Sequence, residues 1–388
     1  LVSRIGVSIK LKKKTILYLV TEDWYFCLHR IPIATAAKRA GYRVVIATRD
    51  NGKIGELEKQ GFEVIKLDWK RGHANPLLLI LELARVRQVY RQVRPDLIHH
   101  IAIKPSLMGS FASLGIGVVI VNNLAGLGSA FSTFGVIGFV VKALLKIAFR
   151  LSFSRDNSVT IVENKDDRDY LVNDVGIHPY RVKMILGVGV NTDKFVPFPE
   201  PVGKVVVTMV SRMLWCKGVK TLIQAALILK EQGLKITIRL VGNTDKDSSQ
   251  AIPQEQLKKW HDLRIVQWAG YKEDIPAVWK ESHIAVLPSF YREGVPRSLL
   301  EAAACGRPII TTDMPGCREI VINGINGILI RPMDHVELAK SIAYLINNPE
   351  NRKKMGAAGR KLVETQFSED LVVGQVLKLY QLFPDGRF

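Results

Sequence analysis

The sequence predicts an α/β protein of two parallel-sheet halves in tandem. Three observations lead there. Short apolar runs alternate with longer stretches of helical period along the whole chain. The alternation breaks once, in a Gly- and Pro-rich segment, and then restarts. The length, 388 residues, is ample for two domains that each bury a core.

In the first half, Thr15–Val20, Arg43–Thr48, Glu63–Leu67, Leu97–Ile101, Val118–Val121 and Thr160–Val162 read as buried strands, short and continuously apolar. Between them, Ile31–Ala40 and Leu77–Val93 have the length and spacing of helices. Such alternation implies a mostly parallel sheet with helices on both faces. The series resumes with Lys204–Val210, Lys235–Val241, Arg264–Trp268, Ile284–Leu287 and Pro308–Thr312. The break, Leu186–Val202, carries Pro197, Pro199 and Pro201 and fits neither period, as a linker does. It divides the chain into 1–190 and 191–388. A last helix, roughly Ser368–Phe383, packs on one half or the other. Open sheets of this kind bind ligands beyond the carboxyl ends of their strands. Two of them facing each other across a cleft suit an enzyme with two substrates.

Apolar residues at 47% and charged residues at 23% are a globular balance. Lys and Arg total 55 against 36 acids, a formal net charge of +19. An excess of that size points to nucleic acid, an anionic membrane face or phosphorylated substrates. Nucleic acid is disfavoured, because the chain has no recognition-helix pattern, zinc-finger spacing or basic run interleaved with aromatics. Cys27, Cys216, Cys305 and Cys317 are scattered, which suggests a reducing cytosol and not a disulfide framework. Lys10–Lys14 precede the apolar Ile16–Val20, a run too short for a signal sequence and ended by Glu22 and Asp23. It reads as the first strand. No stretch has the length and uniform apolarity of a membrane span, so a soluble or peripheral protein is expected.

The chemistry concentrates in two segments. Pro288–Val321 leaves a strand end, passes Glu293-Gly294-Val295-Pro296 and enters a helix bearing Glu301. The glycine lacks the Cβ that keeps a ligand off the backbone, and a helix start offers N–H groups and a positive dipole end to anionic oxygens. Glu293 is placed to accept from sugar hydroxyls and Glu301 from ribose hydroxyls; the bland alternative is a helix with two exposed acids. Val210–Gly218 puts Arg212 and Lys217 across a strand-to-helix turn. An Arg fork and a Lys point charge suit a diphosphate and its developing charge. Read alone, the turn is better taken as a solvated one with two ordinary surface cations.

Taken together, the order, spacing and strand-end placement of these segments resemble the retaining glycosyltransferases of family 4, of the GT-B fold. The resemblance spans nearly the whole chain: Glu293 and Glu301 as its Glu-x7-Glu element, Arg212 and Lys217 as its Arg-x4-Lys element, the hinge-like Leu186–Phe195, and Ile98–Gly109 in the first half. Within the family the chain is similar to bacterial surface-polysaccharide members that act on lipid-linked intermediates. The run Pro315-Gly316-Cys317-Arg318-Glu319 resembles that of members using UDP-activated sugars.

The resemblance implies two Rossmann-like domains, 1–190 for the acceptor and 191–388 for the nucleotide-sugar donor. It implies transfer of a hexose or N-acetylhexosamine, with retention, to a polyprenyl-diphosphate-linked saccharide in surface-polysaccharide assembly, on the cytoplasmic face of the membrane. No metal or cofactor is expected, the nucleotide sugar being a substrate. Arg212 and Lys217 would contact the donor diphosphate, Glu293 the donor sugar beside Gly294, Val295 and Pro296, and Glu301 the ribose.

One departure concerns the first strand. Many relatives carry a glycine-rich loop there, whereas this chain reads Thr21 to Arg30 with Trp24, Tyr25, Phe26, His29 and Arg30, a segment similar to that of some polysaccharide relatives. Trp24, His29 and Arg30 are assigned to the acceptor side, against the alternative of an aromatic corner. His99, His100 and Lys104 follow another strand end. The histidines alternate faces, so at most one reaches a ligand; His100 is the catalytic candidate, His99 and Lys104 being acceptor-side. Asp245 and Asp247 form an Asp-x-Asp, read here as a polar loop.

Phe131–Phe153 is strongly apolar, yet Lys142, Lys146 and Arg150 recur every four residues along one helix face. It reads as an interfacial helix on an anionic membrane surface, its apolar arc being wider than a sheet face requires. The competing reading is a core helix with a snorkelling edge. Two rival functions remain, a sugar-nucleotide epimerase of the same fold and a catalytically silent membrane-associated binding protein.

Overall fold

The computed structural model describes residues 13–69, 75–128 and 135–382. The first sheet takes its strands from β1 (Thr15–Glu22), β2 (Arg43–Arg49), β3 (Glu63–Lys66), β4 (Leu97–Ile101), β5 (Val119–Leu124), β6 (Ser158–Val162) and β7 (Val182–Met184), in the order 3-2-1-4-5-6-7. The second contains β8 (Val205–Val210), β9 (Ile236–Val241), β10 (Gln267–Trp268), β11 (Ile284–Leu287), β12 (Ile309–Thr312) and β13 (Gly327–Ile330), in the order 10-9-8-11-12-13. Counted within its own half, the second sheet repeats the 3-2-1-4-5-6 order of the first, and its pairs are parallel. The strand order reverses at β1/β4 in one sheet and at β8/β11 in the other, and the crevice at such a switch point is where open α/β sheets bind ligands.

The helices of the first series are α1 (Asp23–His29), α2 (Ile31–Arg39), α3 (Ile54–Lys59), α4 (Pro76–Val93), α5 (Ile103–Ala112), α6 (Gly135–Phe153) and α7 (Lys165–Asp169). Those of the second are α8 (Val219–Glu231), α9 (Gln254–Asp262), α10 (Ile275–Lys280), α11 (Arg297–Ala304), α12 (Cys317–Ile320), α13 (His335–Asn347), α14 (Pro349–Leu362) and α15 (Glu369–Gln381). The segment from Thr21 to Arg30, which departs from the glycine-rich pattern, is largely helical, as α1. The strand expected over Arg264–Trp268 shrinks to Gln267–Trp268. Arg264 takes a left-handed φ of 53°, and the Ile265 and Val266 amides donate to Trp260 O at the end of α9, so neither joins the ladder.

By compactness the chain divides into two units. One runs through Asn122 and adds Arg155–Ser158 and the segment from Leu379; the other comprises Asn123–Ser154 and Val159–Lys378. The first has a core of Leu17, Leu19, Val45, Val86, Tyr90, Ile98 and Ile120. The second buries Val207, Met209, Leu222, Leu240, Leu287, Leu300, Ile310 and Phe367. The Pro-rich linker is fastened within this second unit. Arg352 makes a bidentate pair with Glu200 at 2.7 and 2.8 Å, and Arg307 reaches Pro199 O at 3.1 Å. Among the described residues no helix is long and apolar enough to cross a membrane.

Candidate active site

The carboxyl end of β8 leads into Ser211, Arg212 and a short 3-10 turn, Trp215–Lys217. Gly218 then starts α8 at φ 80°, and a Cβ there would collide with the Pro288 carbonyl just beyond β11. Only glycine lets the two strand ends approach so closely. The approach delivers Lys217 to Glu293: Nζ donates to Oε2 in an ion pair whose side chains are 15% and 11% exposed. The other oxygen, Oε1, is buried and has no hydrogen-bond partner among the described residues. A buried carboxylate oxygen without a donor is costly. It marks the place where a ligand hydroxyl would satisfy it.

The loop carrying Glu293 is held from several sides. Asn164 donates through Nδ2 to Glu293 O at 3.0 Å, and the Glu293 amide donates to Pro315 O at 3.3 Å. Arg292 donates to Asp167 Oδ1 at 2.9 Å. Asp167, fully buried, also accepts from the Leu127 amide at 3.1 Å and from Asn164 Nδ2 at 3.0 Å. Burial pushes the Asp167 carboxyl up, and the Asn164 and Arg292 donors pull it back. None of Asn164, Asp167 and Arg292 was singled out from the sequence. The one signal available was Asn164-x-x-Asp167 directly after β6, the spacing of a helix cap; the Asn164 side chain does accept from the Asp167 amide at 2.7 Å.

Arg212 lies on the same edge of the sheet. Nη1 donates to Asp245 Oδ2 at 2.6 Å, the Arg being 42% exposed. The Asp-x-Asp segment thus supplies a counter-ion to the diphosphate candidate. Glu301, in α11, is 6% exposed and accepts from Arg297 Nε at 2.8 Å. Burial raises its carboxyl above the ordinary range, against the pull of Arg297 and Lys194. It is therefore neither of the two exposed acids that the bland reading supposed.

Two details of the loop correct the sequence reading. Gly294 does not leave room for a ligand: a Cβ there would strike the Glu163 carboxylate, so its space is already filled by the protein. Val295 turns into the hydrophobic core, and Pro296, also buried, caps α11.

At the switch point of the first sheet the predicted set separates. His99 and His100 do face opposite ways, but both are fully buried. His100 is held by Asn122 Oδ1 at Nδ1 (2.7 Å) and by Tyr90 Oη at Nε2 (2.8 Å), and burial lowers it to about 4. With both nitrogens engaged inside the fold, it has no free atom for a substrate, and its catalytic assignment is corrected to a structural one. His99 Nδ1 meets Tyr380 Oη at 2.5 Å, while Nε2 is buried without a partner among the described residues. Arg30 is 1% exposed and its charge acts on Tyr18, His99 and Tyr380, so it too belongs to an interior cluster. Lys104 pairs with Glu82 at 2.8 Å and lies over the Trp69 ring at 5.5 Å. Trp24 and His29 flank Tyr25 on a half-buried face, at ring distances of 5.9 and 4.4 Å.

The membrane candidates lie along α6. Residues 131–134 of that predicted segment fall outside the described residues. Phe149 and Phe153 are buried, while Phe139, Val140, Leu144, Ile147 and Leu151 are exposed, with Lys146 and Arg150 exposed and Lys142 half-buried along the edge. A core helix does not leave five large apolar side chains in solvent.

Two parallel sheets of this order, one with cations and carboxylates gathered at its switch point, define an enzyme of the GT-B fold. The family follows from comparison with known proteins. Residues 190–362 match the model for glycosyl transferases group 1 and residues 15–161 that for glycosyl transferase 4-like domains. Between them the two matches span most of the chain, which is a glycosyltransferase. It is 27% identical over 90% of its length to the N,N'-diacetylbacillosaminyl-diphospho-undecaprenol alpha-1,3-N-acetylgalactosaminyltransferase of Campylobacter jejuni, 94% of which is covered. Among solved structures it resembles a glycosyltransferase of Rickettsia africae, with TM-score 0.78, 20% identity and coverage of 97% and 100% of the two chains. It also resembles Anabaena Alr3699/HepE in complex with UDP and glucose, with TM-score 0.75, 21% identity and coverage of 94% and 99%.

Proposed function

We propose that this enzyme transfers a hexose or N-acetylhexosamine, with retention, from a UDP-sugar to a lipid-diphosphate-linked saccharide in surface-glycan assembly. The observation that carries the reading is the Lys217–Glu293 pair with its unsatisfied Oε1 at the β8/β11 switch point. Residues 191–388 hold the donor and residues 1–190 the acceptor. Arg212, the more exposed partner of its pair with Asp245, turns from that carboxylate to the diphosphate. Lys217 shares its charge between Glu293 and the departing phosphate, stabilising the leaving group. Glu293 Oε1 accepts from a donor-sugar hydroxyl, and Glu301 accepts from the ribose. These cations supply the countercharge, so no metal or cofactor is assigned.

Two similarities support the finer points. The Campylobacter relative is named for a diphospho-undecaprenol-linked acceptor, and Alr3699/HepE is described with UDP and glucose. The exposed apolar face of α6 with Lys142, Lys146 and Arg150 supports a peripheral place on the inner face of the cell membrane, where such acceptors reside.

The test is a thermal-shift screen of nucleotide sugars in the presence of a chelator, followed by assay of the best ligand with lipid-linked acceptors. A ligand that binds the native state raises the apparent stability. UDP-sugars should do so, and sugar should appear on the lipid. Free epimerised nucleotide sugar as the product would instead identify an epimerase, and a strict requirement for one divalent ion would remove the proposed charge balance.

A further inference from the structure

Gly294 lacks a side chain for a reason that its backbone does not supply. Its φ lies outside the left-handed region that favours glycine, so alanine would fit the chain there. What excludes a side chain is one contact: a Cβ would collide with Oε2 of Glu163. The next neighbour, the Ala125 carbonyl carbon at 3.2 Å, would have to give by only a few tenths of an ångström.

Glu163 is the first residue beyond β6 and is 3% exposed. Its chain neighbour Asn164 donates to Glu293 O at 3.0 Å. Two consecutive residues at the end of β6 thus act on two consecutive residues of the loop, Asn164 on Glu293 and Glu163 on Gly294. From other sides, Gly126 lies against the peptide joining Glu293 to Gly294, and Gly316 against the carbonyls of both. All of these residues belong to the second unit. The peptide that aims the Glu293 side chain is therefore enclosed, with the Glu163 carboxylate as one wall. Burying a carboxylate is costly, and this one is buried against the loop that carries the site.

We propose that Glu163 is a positioning residue of the glycosyl-transfer site. Its carboxylate fixes where the Glu293–Gly294 peptide sits, and Gly294 is glycine to make room for it. This rests on the reading of Glu293 as the group that receives a donor-sugar hydroxyl, and deepens it. A buried oxygen such as Glu293 Oε1 can serve only a hydroxyl presented at the correct place. Misplacing such a group by about 1 Å lowers a rate by about a hundredfold. Arg212 and Glu301 are held elsewhere, by Asp245 and Arg297. Affinity for UDP should therefore change much less than turnover.

The experiment is a double-mutant cycle on the full chain. It compares the wild type, Glu163→Ala, Gly294→Ala and Glu163→Ala/Gly294→Ala, with Glu163→Gln as the conservative variant. UDP release from UDP-glucose and UDP-N-acetylglucosamine, one donor of each proposed class, reads turnover. Calorimetry with UDP reads binding, and melting curves read the fold. Gly294→Ala should lower turnover by about a hundredfold with UDP affinity retained. The double variant should recover about tenfold of that loss, because residues in contact do not act additively. Glu163→Gln keeps the shape and should keep most of the turnover that Glu163→Ala loses. If Gly294→Ala does not fold, a folded, UDP-binding double variant is the expected result, and its failure to fold overturns the proposal. Effects that simply add, or a cycle that couples in melting but not in turnover, also overturn it. So does a Glu163→Gln variant as slow as Glu163→Ala, which would make charge and not fit the cause. Glu293→Gln is assayed alongside. Near-normal turnover in that variant removes the donor-sugar reading and the proposal with it, whereas additivity beside a slow Glu293→Gln removes the proposal alone.

Discussion

Lys217 donates to one carboxylate oxygen of Glu293 and leaves the other, Oε1, buried without a hydrogen-bond partner among the described residues. The pair thus orients an acceptor atom and keeps it unsatisfied. Glu293→Gln should lower turnover by about a hundredfold, or roughly 2.7 kcal/mol of transition-state stabilisation. Gln retains a carbonyl for Lys217, so melting should change little. Lys217→Ala should lower turnover as much and also destabilise the fold, because it strands a largely buried carboxylate. Steady-state rates with melting curves decide this; near-normal rates in both variants would remove the site.

Arg292 and Asp167 hold the Glu293 loop at 2.9 Å through a pair in which the carboxylate is fully buried. Breaking a buried pair from one side costs about 3–5 kcal/mol. Arg292→Ala should therefore lower stability by that order and reduce turnover, with saturating donor failing to restore it. A melting temperature equal to that of the wild type would show that the clamp contributes nothing.

Glu301 is a ground-state contact in this scheme, remote from the reacting carbon. Glu301→Ala should weaken donor binding more than it slows turnover, since uniform binding raises affinity without lowering the chemical barrier. Calorimetric titration with UDP measures the first and single-turnover kinetics the second. Burial also raises this carboxyl. The folded chain keeps its proton over a pH range, above the ordinary carboxylate value, in which the unfolded chain has lost it. Stability should decline as pH rises through that range, and Glu301→Gln should remove that part of the decline.

His100 gives the opposite slope. Its pKa falls from 6.5 to about 4 on burial, so the unfolded chain takes up a proton that the folded chain refuses. Its contribution to stability is present above 6.5 and is lost as pH falls toward 4. Denaturant titrations across that window should show His100→Gln to be less acid-sensitive than the wild type. The pH–rate profile should contain no ionisation that this substitution abolishes.

Lys142, Lys146 and Arg150 border the exposed apolar stripe of α6. Near an anionic surface each contributes about 1 kcal/mol. Reversing all three to Glu should release the protein from anionic vesicles while its affinity for UDP is retained. Wild-type binding should weaken with salt, since exposed charges are screened over roughly 8–10 Å. Salt-independent sedimentation would assign the grip to apolar contact alone.

The sequence by itself determined the two sheets, because continuous apolar runs separated by helical periods admit few alternatives. It also singled out Arg212, Lys217, Glu293 and Glu301, whose spacing along strand-end turns is a local property. It did not carry what lies across the fold. β7 and β13 are short segments that become strands through pairing with a neighbour. Arg264–Val266 has strand-like composition, yet its backbone hydrogen bonds go to the end of α9. Asp167 and Arg292 are separated by 125 residues, Arg212 and Asp245 by 33, and no periodicity links such partners. His100 looked like a strand-end histidine at an active site. Only the tertiary structure decided otherwise, by closing Tyr90 and Asn122 over its two nitrogens. Local spacing decides which residue types reach a sheet edge. Burial and long-range partners, which depend on packing, decide which of them keep an atom free for a substrate.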